Sequence, residues 1–219
     1  MRLYLAIALV LALAVTGSWW TTRPGSGPIA TPSQTYPWQI EQLTDGSTRV
    51  FGLTLGGSSL LDARKPLGKE SGLQIFVAPD KSLALEAYFD RITLGGLTAK
   101  VVLGLAMEPE ILEEMATRSP KRQGSPSGSW RLDLAEQDAV AASRGKIITI
   151  SYLPTVQLEA SIVEKLFGPP TEKIISDEDT QHWLYPLRGL DITLHRTQKG
   201  VFQYVHPGQF YRLRLPLTT

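Results

Sequence analysis

The 219-residue chain contains no cysteine. It therefore has no disulfide framework, no thiolate nucleophile and no cysteine-based metal site. Neither sign of charge is in excess. Its 22 basic and 21 acidic residues leave a formal net charge of +1, which argues against a nucleic-acid partner, since a strongly basic face is expected of one. Catalytic signatures are missing too. Gly124-Ser125-Pro126-Ser127-Gly128 imitates Gly-x-Ser-x-Gly but puts proline at the nucleophile position. There is no His-Glu-x-x-His, phosphate loop or dinucleotide glycine pattern. Ser143-Arg144-Gly145-Lys146 matches Ser-x-x-Lys, yet Gly145 ends a helix where that chemistry needs one to begin. Asp177, Glu178, Asp179 and His182 are of metal-ligating types. Consecutive acidic residues between two strands point in different directions, so they read as a solvated turn. No metal or other cofactor is expected. His195 and His206 lie at strand ends and read as structural. Nothing in the spacing assembles a nucleophile, a base and an oxyanion site. The chain is expected to be non-enzymatic, the enzymatic alternative being a hydrolase with a dispersed site.

What is present begins with an apolar run. Leu3 to Val15 follows Arg2 and precedes small residues such as Gly17, the pattern of a signal peptide. Extended to Trp20, the run approaches the roughly 20 apolar residues of a membrane span, with Trp19 and Trp20 at the interface. Residues 1–20 are thus read as a signal peptide or an uncleaved membrane anchor. Either way the rest is exported, soluble in the periplasm or tethered to the inner membrane. Residues 21–37 are rich in Pro, Gly and Ser, with too few apolar side chains to order themselves, and read as a linker.

Beyond the linker, 42% hydrophobic residues supply a core. In residues 38–118, Arg49 to Leu55 alternates as a strand, and a helix through Leu60, Ala63 and Leu67 stops at Gly68. Leu73 to Val77, Leu83 to Phe89 and Leu97 to Leu103 follow as strands, and Glu108 to Thr117 as a helix led by Pro109. Residues 119–129 form a Pro/Gly/Ser loop taken as the seam between two units. With Arg118 it carries Lys121 and Arg122, a candidate lipid-contact loop, since each basic charge near an anionic surface contributes about 1 kcal/mol. In residues 130–219, a strand through Trp130, a short helix at Ala135 to Arg144 and a strand at Ile147 to Tyr152 lead to a helix from Val156 to Phe167. Thr155 is its N-cap and Gly168-Pro169-Pro170 its stop. Lys173 to Ser176, His182 to Leu187, Leu190 to His195 and Val201 to Val205 complete a meander. The expected fold class is α+β, two tandem units of one helix plus an antiparallel meander.

The run Phe167-Gly168-Pro169-Pro170, Trp183-Leu184-Tyr185, Arg188-Gly189 and Leu190 to Leu194 resembles the SmpA/OmlA (BamE-like) outer-membrane small lipoproteins. The resemblance covers about a quarter of the chain, and the lipid-attachment cysteine of that family is absent. It implies an envelope protein that contacts an assembly partner and anionic lipid through Tyr185 and Arg188. Trp183 and Tyr185 lie two apart on one strand face, and Trp, Tyr and Arg dominate interface hot spots. Trp183, Tyr185 and Arg188 are therefore the candidate partner-binding residues, with core packing the competing role for the two aromatics. A pair of helix-plus-meander units also resembles the β-lactamase inhibitor protein fold, which implies a soluble inhibitor-like module as the alternative function.

Overall fold

A computed structural model describes residues 36–218. The expected signal or anchor, and the expected linker as far as residue 35, lie outside the described residues. Among the described residues no helix is long and apolar enough to cross a membrane.

Among the described residues, thirteen strands and five short α-helices alternate along the chain. β1 (Glu41–Gln42), β2 (Thr48–Val50) and β3 (Leu53–Thr54) make a small sheet. After α1 (Leu60–Leu67) come β4 (Gly72–Val77), β5 (Leu83–Leu94) and β6 (Leu97–Leu105), then α2 (Pro109–Thr117), β7 (Arg122–Gly124), β8 (Trp130–Asp133) and α3 (Ala139–Ser143). β9 (Ile147–Pro154) precedes α4 (Ala160–Phe167), and β10 (Glu172–Ile175), β11 (Thr180–Tyr185), β12 (Leu190–His195), β13 (Val201–Val205) and α5 (Tyr211–Arg214) close the fold.

The expectation of two tandem helix-plus-meander units is overturned. Ten strands form one antiparallel sheet in the order β10-β11-β12-β13-β9-β6-β5-β4-β8-β7. β9 joins the halves, pairing with β6 from Ala99↔Pro154 to Leu105↔Ile147 and with β13 on its other side. β8 folds back onto β4, Ile75 facing Leu132, so strands on either side of residues 119–129 share one sheet. The turns were legible locally, but which strands meet across long separations depends on backbone pairing that no local window contains.

Two strand and helix ends also differ from expectation, for local reasons. Arg49 to Leu55 is a hairpin rather than one strand, because Phe51 (φ 54°) and Gly52 (φ 76°) both take positive φ and turn the chain between β2 and β3. Near the second helix, Val156 is exposed and α4 starts only at Ala160, with Glu159 at the N-cap and no side-chain cap in place of Thr155. α1 is better specified: Ser59 and Asp62 form a reciprocal capping box.

One face of the large sheet carries the core. Side chains alternate across a strand, and Leu85, Ala87 and Phe89 of β5, Val101 and Leu103 of β6, Ile150 and Tyr152 of β9, and Phe202 and Tyr204 of β13 all point the same way. Leu60, Ala63 and Leu67 of α1, Val163 and Phe167 of α4, and Val50 and Leu53 of the small sheet close over them in one continuous cluster. The opposite face is apolar mainly at one edge, where Phe210 and Leu213 cover Leu184 and Val205.

Candidate functional site

Trp183 and Tyr185 are 2% and 4% exposed, on the core face of β11. The Trp183 indole donates to Gln181 Oε1 at 2.9 Å, and Lys173 Nζ sits 4.1 Å from its ring centroid. Tyr185 Oη donates to the Gly168 carbonyl at 2.9 Å, and Arg188 Nη1 donates to the Phe167 carbonyl at 2.6 Å. These are carbonyls at the end of α4 that lack intrahelical partners. Burial pushes the Tyr185 phenol up to about 12, so it stays a donor at neutral pH. The three residues thus meet, and what they do together is fasten the end of α4 to the sheet. Of the basic loop, Arg118 pairs with Asp138 at 2.8 Å and with Glu114 at 3.3 Å, while Lys121 and Arg122 are exposed, the latter on edge strand β7.

A second constellation lies on the other face of the sheet, where spacing gave no warning of it. Glu86, Ser151, Gln203 and Asp191 are each at most 4% exposed. They sit on β5, β9, β13 and β12, with Ser151 opposite Gln203 and Gln203 opposite Asp191. Glu86 lies opposite Gly104, which lies opposite Thr149. A Cβ at Gly104 would collide with Thr149 Oγ1, so glycine keeps this row open. Each polar residue is isolated within an apolar strand. The available signal was that isolation: an acid in Leu85-Glu86-Ala87 and an amide in Phe202-Gln203-Tyr204 mark a face that is not core.

Around this row the surface sinks into a cavity of about 1130 Å³. Its floor includes Ala84, Glu86, Ser151 and Gln203; Leu213 and Arg212 of α5 wall one side, and Met107 and Leu112 with the turn at Lys81 wall another. The Glu86 carboxylate accepts from Tyr88 Oη. Burial raises the Glu86 carboxyl above its ordinary range, against the Tyr88 hydrogen bond and the Arg131 charge, which lower it. Two polar groups lining the cavity are left over: the Gln203 carboxamide oxygen and Arg212 Nε are buried without a hydrogen-bond partner among the described residues.

Beside the row, His182 Nδ1 lies 2.9 Å from Asp191 Oδ2 and 3.3 Å from Thr193 Oγ1. A hydroxyl-imidazole-carboxylate relay needs the two partners on different ring nitrogens. Here both meet Nδ1, so the trio pins neighbouring strands instead of passing a proton. Desolvation raises the Asp191 carboxyl, opposed by His182. His182 is therefore engaged away from Asp177, Glu178 and Asp179, and among the described residues no group of three or more metal-ligating side chains forms.

No family model, curated protein or solved structure matches this chain.

Proposed function

We propose that this chain is a non-enzymatic, exported binding protein of the cell envelope, and that the cavity on the polar sheet face is where it binds. The observation that carries the reading is the pairing of two unpartnered buried polar groups, on Gln203 and Arg212, with a cavity of about 1130 Å³. Ligand sites are concave, mostly apolar and provided with a few convergent polar groups. Leu83, Met107, Leu112 and Leu213 supply the apolar walls, and the Glu86 to Gln203 row supplies the polar floor. The apolar run from Leu3 to Val15 supports export.

The test uses the full chain in a Gram-negative host with a photo-crosslinking residue at Glu113, an exposed position lining the cavity. The expected result is recovery with the envelope and an adduct to an envelope component that disappears when Ala84→Trp fills the floor. Recovery in the cytoplasm, or an adduct indifferent to Ala84→Trp, overturns the reading.

A further inference from the structure

The structure assigns to this cavity, on the reading that it is the binding site, a specific class of ligand: a small amphiphile with a carboxylate head and an apolar body. Arg212 and Gln203 hold the head, and the walls formed by Leu83, Met107, Leu112 and Leu213 hold the body.

Three observations carry this. First, Arg212 lines the cavity and takes part in none of the ion pairs among the described residues, unlike its near neighbour Arg214, whose guanidinium holds Glu172 at 3.0 Å. Its Nε is buried and donates to no acceptor among the described residues. A guanidinium of this kind is matched best by a carboxylate, which accepts two parallel hydrogen bonds in its plane. Second, Gln203 lines the same cavity as Arg212. Leu213, the residue after Arg212, packs on Val205, which lies two residues along the same strand face from Gln203. The Gln203 side chain is 4% exposed and its carboxamide oxygen has no partner; turned about its terminal torsion, the same group presents its N–H to a head group. Third, the acid on the floor is already engaged within the protein. Glu86 is buried and accepts from Tyr88, and desolvation raises its carboxyl above the ordinary range.

The small number of free polar groups selects the size class. A peptide would bring one donor and one acceptor per residue into the cavity, each needing a partner, whereas two unpartnered groups suit one polar head. The rest of the ligand must then be apolar to fill the space between the walls.

The test is calorimetric titration of the full chain with dodecanoate and with methyl dodecanoate, which keeps the apolar body and removes the charge. Saturable binding of dodecanoate is expected, with the ester about tenfold or more weaker, the range covered by loss of a charge-assisted hydrogen bond. Arg212→Gln should weaken dodecanoate by a similar factor, leave the ester unchanged and, because Arg212 makes no ion pair among the described residues and its buried Nε no hydrogen bond, should not lower the unfolding midpoint. Ala84→Trp should abolish binding of both. Equal binding of acid and ester, or dodecanoate binding indifferent to Arg212→Gln, overturns the carboxylate assignment while leaving the cavity as a binding site. No binding of either overturns the amphiphile class, and the crosslinking experiment at Glu113 then decides the broader reading separately.

Discussion

Two tyrosines on adjacent strands should respond in opposite directions to loss of the same oxygen atom. Tyr152 and Tyr204 are both fully buried on the core face of the sheet. The Tyr204 hydroxyl donates to the Pro37 carbonyl at 2.8 Å, tying the start of the described chain to β13. The Tyr152 hydroxyl is buried with no partner among the described residues. Its ring is otherwise well placed, stacked with its centroid 5.4 Å from Phe51 and 5.7 Å from Phe202. A buried polar group without a hydrogen bond costs about 1–3 kcal/mol, and phenylalanine keeps the ring contacts while removing that cost. Tyr152→Phe should therefore stabilise the protein by about 1 kcal/mol or more. Tyr204→Phe removes a made bond and strands the Pro37 carbonyl, which should cost about 1–3 kcal/mol. For a chain of this size each kcal/mol moves the thermal midpoint by about 2–4 °C. The assay is urea and thermal unfolding at pH 7, where both phenols are protonated because burial pushes Tyr152 up to about 12 and Tyr204 well above its ordinary value. A fall in midpoint for Tyr152→Phe, or equal losses for both variants, would refute the reasoning that the unpaired hydroxyl is a net cost.

Glu86→Gln tests the buried acid through pH. Its folded pKa is raised above the ordinary 4.5, so the folded state holds the proton more tightly, and the stability this confers is present below about 4.5 and lost as pH rises through the folded value. The variant keeps an acceptor for Tyr88 and should show no such loss, exceeding the parent in stability at pH 8 while the gap closes towards pH 4. Parallel stability curves would count against it. Ser59→Ala, which removes half of the α1 capping box, should lower stability by about 1 kcal/mol in the same unfolding assay. Gly189→Ala should cost about 3 kcal/mol or more, because φ is +64° and the new Cβ would strike the Val205 carbonyl oxygen; soluble, normally stable Gly189→Ala protein would contradict the bend geometry.

Local signals carried the strands further than they carried the site. Leu190 to His195 and Val201 to Val205 coincide with β12 and β13 because Arg188-Gly189 and Lys199-Gly200 punctuate them, and Gly189 indeed adopts positive φ. The same hairpin puts His182 opposite Thr193 and diagonal to Asp191, so that buried trio was within reach of a register drawn from the Arg188-Gly189 turn. The cavity was not. Glu86, Ser151, Gln203 and Arg212 come from β5, β9, β13 and α5, and they share a surface only because β9 lies between β6 and β13. That placement is a long-range pairing, and a two-unit reading of the chain sends β5 and β13 to separate sheets.

The direction of burial explains why the polar row is the part of the fold with chemistry left to offer. A sheet stabilised through one apolar face has no energetic need for polar residues at the centre of the other. Placing Ser151, Gln203 and Asp191 side by side there, each nearly inaccessible, incurs desolvation that hydrogen bonds must offset. Asp191 recovers part of it through His182, and Glu86 through Tyr88. Gln203 and Arg212 recover none of it at the carboxamide oxygen and at Nε. Core residues can meet that cost in the free protein, but a ligand that satisfies both groups gains what the fold leaves unmet. The unpaired groups and the cavity around them are therefore one feature, and Arg212→Gln separates its electrostatic part from its shape.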